Sequence, residues 1–180
     1  MMHDLLSRLH EIPIYAYVIM IVIALVLWTT LAFLFQKRPL WKRVNTVLLA
    51  LSIILIVSIT FVLRQASIQS YSIIPFSSFE LAKLFPDVYQ EMILNVILYM
   101  PVGMTMPFVL SGRVRHPAAV TVVFALLLSI ATEILQFLFM RGYTEVDDVM
   151  FNTIGAVLGA ISFMITDPAI RKRNEDVTRI

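Results

Sequence analysis

The sequence predicts an all-α integral membrane protein, a bundle of about five transmembrane helices with the N-terminus outside and the C-terminus cytoplasmic. Three observations carry this. Only 14% of the 180 residues are charged and 59% are hydrophobic, whereas a soluble domain needs roughly 25% charge to cover its surface. Long apolar runs recur along the chain. The basic residues fall unequally between the connections that separate those runs.

The first span, about 14–35, has no charged residue and is long enough to cross a ~30 Å hydrocarbon core at ~1.5 Å per residue. Residues 1–13 contain one strong cation, Arg8, and no small-x-small cleavage site follows the apolar run. The run therefore reads as a retained helix rather than a signal peptide. Lys37, Arg38, Lys42 and Arg43 form a basic turn around Pro39. The second span, about 44–63, contains Asn45, Thr46, Ser52, Ser58 and Thr60, all able to back-bond to helix carbonyls.

A longer connection, 64–91, holds Pro75 and Pro86. Ser77 or Ser78 is placed to cap a short amphipathic helix through Phe79, Leu81, Ala82 and Phe85, expected on the membrane surface. The third span, about 92–110, is interrupted by Pro101, Gly103 and Pro107, so a kink is expected. The fourth, about 117–140, carries Glu133, and the fifth runs over about 149–166 before a polar tail. With five spans, ten of the 14 lysines and arginines lie on one side and four on the other. The positive-inside rule then orients the chain as stated.

Function is sought in the polar residues within spans. A carboxyl near the middle of a membrane helix costs about 2.5–3.5 kcal/mol on insertion scales and marks function by default. Glu133 shares a helix face with Ser129, Gln136 and Met140 at steps of four, three and four. Asp148, Asn152, Gly155 and Gly159 repeat that spacing on the fifth span. The connection 141–147 is short enough to force the two helices into antiparallel contact. Asn95 and Tyr99 add polar groups from the third span. An outward-facing polar pocket is expected, with Glu133 and Asp148 as catalytic candidates and Asn95, Gln136, Arg141, Asp147 and Asn152 as substrate-binding candidates.

Plainer readings stand beside these. Asn95 and Asn152 suit interhelical hydrogen bonding, and Gly155 with Gly159 suits close helix packing. Arg141 with either neighbouring acid suits a surface ion pair. A protonated Glu133 suits a structural hydrogen bond. Asp147 and Asp148 offer oxygen ligands of the kind Mg²⁺ takes, but adjacent acids on a loop are usually only solvated, so no cofactor or metal is expected. With no cysteine there is no disulfide or thiolate site. No basic patch interleaved with aromatics suggests nucleic acid.

Four segments together resemble the VanZ-like family: Ile74-Pro75-Phe76, Asn95-Val-Ile-Leu-Tyr-Met-Pro101-Val-Gly103, Ser129-Ile-Ala-Thr-Glu133-Ile-Leu-Gln136, and Arg141-Gly-Tyr-Thr-Glu-Val-Asp147-Asp148-Val-Met-Phe-Asn152-Thr-Ile-Gly155. The chain then divides into a scaffold of two helices, 12–63, and a motif region, 72–166, within one membrane domain over 1–180. The resemblance implies a multi-pass protein of the bacterial cytoplasmic membrane, a link to teicoplanin resistance, and membrane lipids as surroundings. The convergence of Glu133, Gln136, Asp147, Asp148 and Asn152 on the outer side makes a lipid-linked wall precursor or a glycopeptide the candidate ligand. Whether the site catalyses, binds, or relays protons as a small transporter stays open on the sequence.

Overall fold

The computed structural model describes residues 13–62, 64 and 70–167. Residues 1–12, the tail 168–180 and the end of the second span at Leu63 lie outside the described residues. Five helices are long and apolar enough to cross a membrane. They are α1 (Ile14–Phe35), α2 (Pro39–Val57, continued by a π-helical turn Ser58–Val62), α4 (Asp87–Leu110), α5 (Pro117–Leu138) and α6 (Val146–Thr166). The short α3 (Ser77–Leu84) and two two-residue strands, β1 (Tyr71–Ser72) and β2 (Thr144–Glu145), fill the connections at one end. α3 lies where the apolar spacing places it, but Ser77 and Ser78 are its first two helical residues rather than its cap, and the N-cap position is Phe76, with no side-chain cap. The parallel β1–β2 pairing, with Tyr71 opposite Thr144 and Ser72 opposite Glu145, is not foreseen, because two residues carry no period.

Several helix ends differ from the sequence expectation, each for a local reason. α2 starts at Pro39 rather than near 44, because proline at the first helical position has its φ preset and no N–H to satisfy. Lys42 thus sits inside the helix, where its ammonium donates to the Ser111 carbonyl at the end of α4 (3.1 Å). α4 starts at Asp87, an acid in the first turn where the helix dipole favours it. It continues through Pro101 and Pro107. The Thr105 hydroxyl donates to the Pro101 carbonyl (2.8 Å), and the Trp28 indole N–H to the Met104 carbonyl (2.9 Å). α5 ends at Leu138, before Met140, which takes a left-handed φ of 53°. The Arg141 N–H then returns to the Gln136 carbonyl (2.9 Å) and closes the helix. Met140 therefore belongs to the turn, not to the polar face of α5. α6 starts at Val146, so Asp147 and Asp148 both lie in its first turn rather than in the preceding loop.

α4 is the central helix and packs most extensively on α6. Small residues permit this. A Cβ built at Gly155 would overlap the Val96 carbonyl oxygen, and one at Gly159 the Met100 carbonyl oxygen. Two buried clusters fix the bundle. Ile56, Tyr99, Val102, Ala125 and Ala156 join α2, α4, α5 and α6 in one. Trp41, Phe108 and Phe163 form the other with Ala32, their rings edge-on at 5.7 and 5.1 Å. Large apolar side chains on α1, among them Ile19, Ile23 and Leu27, are more than half exposed, a surface that lipid solvates and water does not.

Candidate functional site

The start of α4, the end of α5 and the start of α6 meet at one end of the bundle, and their polar faces turn toward one another. Asn152 donates to the Ser129 hydroxyl (2.8 Å) and so ties α6 to α5. Asn95 donates to Asp148 Oδ1 (2.7 Å) and ties α4 to α6. Tyr99 and Thr132 pair through their hydroxyls at 3.2 Å. Since Thr132 donates to the Ser129 carbonyl, the tyrosine is the donor of that pair. Glu133 is 6% exposed, and its Oε2 accepts the Glu145 N–H (3.2 Å).

Arg64 completes the arrangement. Its Nη1 donates to Gln136 Oε1 (2.9 Å), and its Nη2 lies 3.6 Å from Asp148 Oδ2. Gln136 uses its amide on the Thr60 carbonyl (2.9 Å), in the π-helical turn that leads to Arg64. A cleft of about 180 Å³ lies among these groups and is also lined by Glu91 and Leu94.

The residues singled out by sequence separate into two groups. Asn95, Glu133, Gln136, Asp148 and Asn152 all line the cleft. Arg141 and Asp147 do not. The Arg141 guanidinium donates to the Arg64 carbonyl (3.1 Å), and Gly142, at φ 85°, leaves room beside the Arg64 side chain. Arg141-Gly142 thus forms the seat on which Arg64 rests. Asp147 is 1% exposed and faces α3. Its Oδ1 accepts the Phe76 N–H (2.6 Å) and its Oδ2 the Ser78 N–H (2.9 Å). It caps α3 from another helix, satisfying donors that Phe76, in a left-handed conformation without a capping side chain, does not. The carboxyl groups of Asp147 and Asp148 therefore meet different partners.

Beside the cleft, Glu145 accepts the Ser78 hydroxyl (3.1 Å). Burial pushes its carboxyl above the usual range; Ser78 opposes this, and the Asp147 and Glu91 charges add to it. Among the described residues no group of three or more His, Asp or Glu is placed to hold a metal ion.

Sequence reasoning did not single out Arg64 or Glu91. A signal for Arg64 was present: it is the only lysine or arginine between Arg43 and Lys83. A lone cation at the end of a span, with acids in the neighbouring spans, is a candidate partner for them. Glu91 carried no such signal, because the sequence puts it at the end of the 64–91 connection, whereas it lies in the second turn of α4.

A VanZ/LLP1 family model matches residues 20–167. The chain is 32% identical over 88 residues to Protein VanZ of Enterococcus faecium, a match covering 49% of this chain and 53% of that protein. The matched stretch thus spans about half the length of that curated relative. No solved structure matches the chain.

Proposed function

This chain belongs to the VanZ/LLP1 family, and we propose that it is a cell-envelope membrane protein that binds or processes a lipid-linked or wall-derived substrate in the Arg64–Glu133–Asp148–Asn152 cleft. Through that activity it contributes to glycopeptide resistance of the teicoplanin type. In this reading the membrane is the bacterial cytoplasmic membrane and the cleft opens outward, an orientation that the distribution of basic residues supports. One observation carries the proposal. Five polar side chains from three helices converge on one cleft together with the cation Arg64, at an expense in insertion energy that a purely structural bundle has no need to bear.

In the catalytic form of this proposal Glu133 moves the proton. One of its oxygens is held by the Glu145 N–H, so the carboxyl is oriented, which general acid–base work requires. Asp148, fixed by Asn95 and Arg64, supplies a stationary charge. Asn95, Gln136 and Asn152 shape the binding surface, and Arg141 and Asp147 hold the loops that frame it. A non-catalytic binding protein is the second reading. It is favoured by the fact that both oxygens of Asp148 and the amide nitrogens of Asn95, Gln136 and Asn152 are already engaged within the protein, a rigid surface rather than a mobile relay.

Glu133→Gln separates the two. Teicoplanin tolerance is measured in cells expressing equal amounts of wild-type and variant protein. Loss of tolerance with ligand binding retained supports catalysis; unchanged tolerance removes Glu133 from any chemical role.

A further inference from the structure

The cleft holds more carboxyl groups than cations. Among its described lining residues one cation, Arg64, faces three carboxyl groups, those of Glu91, Glu133 and Asp148. Both terminal nitrogens of Arg64 already meet acceptors of the protein, Gln136 Oε1 and Asp148 Oδ2. The amide nitrogens of Asn95, Gln136 and Asn152 are likewise engaged, by Asp148, the Thr60 carbonyl and the Ser129 hydroxyl. An anion entering here would meet three carboxyl groups and one cation whose two terminal nitrogens each already face an acceptor.

An independent observation points the same way. Asn152 is 3% exposed, lines the cleft, and its Oδ1 has no hydrogen-bond partner among the described residues. Buried carbonyl oxygens are almost always paired, so an orphan of this kind marks a place for a donor from outside the chain.

We infer that the cleft receives a primary ammonium group carried by the substrate. The inference rests on the substrate-binding reading above and names the part of the substrate that enters. An ammonium has three N–H donors and no acceptor. One N–H satisfies Asn152 Oδ1, the others face Glu133 and the exposed Glu91 at the mouth, and the positive charge offsets the carboxyl excess. At about 180 Å³ the cleft has room for such a group and a few waters, at ~30 Å³ each. A trimethylammonium carries the charge but has no N–H to give, so it leaves Asn152 unpaired. The ammonium has two chemical sources at an outer leaflet, an aminoethyl lipid headgroup or the free amine of a wall-derived peptide.

The test uses the full chain in phosphatidylglycerol nanodiscs, with binding read by native mass spectrometry and thermal shift. The lipid arm compares phosphatidylethanolamine with its N-acetylated form and with phosphatidylcholine. The peptide arm compares an Ala-Glu-Lys tripeptide with its ε-N-acetyl form. The expected result is at least tenfold tighter binding of the free amine in one arm, and that arm identifies the source. Asn152→Leu should abolish the preference. Glu91→Gln, an exposed change that leaves the fold alone, should weaken amine binding at least threefold. No preference for the free amine in either arm overturns the ammonium assignment and leaves the substrate-binding reading intact. Tighter binding of phosphatidylglycerol than of any amine also overturns it, in favour of an anion. Binding of none of these probes, nor of a lipid-linked wall precursor, removes the substrate-binding reading itself.

Discussion

Arg64 and Asp148 face each other across the cleft, Nη2 to Oδ2 at 3.6 Å, and the pair joins the segment after α2 to the first turn of α6. The two partners are unequally buried: 34% of the arginine side chain is exposed and 12% of the aspartate. Asp148 is the more dependent member. An unpaired arginine can turn toward water or lipid headgroups along its flexible stem, whereas among the described residues the aspartate keeps Asn95 alone.

The consequence is an asymmetry between the single variants. Arg64→Met leaves a buried acid with one hydrogen bond and should destabilise the protein by about 1–3 kcal/mol. Asp148→Asn leaves a partly exposed cation and should stay below ~1 kcal/mol. In Arg64→Met/Asp148→Asn the loss should be smaller than the sum of the two, because neither group is left stranded. Denaturant titration in mixed micelles measures all three; equal single losses that add would show that the pair is not coupled.

Asp147 supports a separate prediction. Two backbone N–H groups at the start of α3 depend on its carboxyl. Asp147→Ala orphans both and should cost about 1–3 kcal/mol. Asp147→Asn keeps one acceptor oxygen and should cost roughly half as much. Hydrogen exchange locates the effect: amides of Phe76 and Ser78 should lose protection first, while those in the middle of α4 stay protected.

These two neighbouring acids show what the sequence made legible and what it hid. Charge and apolar run length were enough for five helices, because lipid imposes length and composition on each span separately. The helical period was enough to align Glu133 with Gln136 and Asp148 with Asn152. Two limits follow from the same physics. Asp147 and Asp148 are adjacent on a helix and point about 100° apart, as a 3.6-residue turn requires, so charge alone cannot give them a shared role. Arg64, Arg141 and Gly142 come together through a turn and a strand pair with no period to read. The apolar run continues past Leu138 and so suggests Met140 on the α5 face, while the helix itself stops at the left-handed turn.

Glu145 gives the protein a pH dependence outside the spans. Burial raises its carboxyl pKa in the folded state above the unfolded value of 4.5. The folded state therefore holds the proton more tightly than the unfolded one. Stability from this group is fully present below pH 4.5 and is lost as the pH rises through the folded value. Glu145→Gln keeps an acceptor for the Ser78 hydroxyl and removes the titration. Melting temperatures recorded upward from pH 4 should fall less steeply in Glu145→Gln than in wild type. Parallel curves would assign the dependence to other groups.

Gly142 and Gly112 together separate backbone strain from the seating of Arg64. Both glycines are left-handed, with φ of 85° and 76°, so alanine at either carries a similar penalty of about 1–2 kcal/mol. Their surroundings differ. A Cβ at Gly112 meets nothing within 4 Å, but one at Gly142 comes 2.8 Å from Arg64 Cδ. The arginine has to move, and it does so against two restraints: its carbonyl is held by Arg141 and its guanidinium by Gln136. Gly142→Ala should therefore lower the melting temperature more than Gly112→Ala does, and only Gly142→Ala should also reduce the ligand binding that the proposed function assigns to the cleft. Equal function in the two variants would mean that Arg64 tolerates displacement, and the cleft would then depend on its helical residues alone.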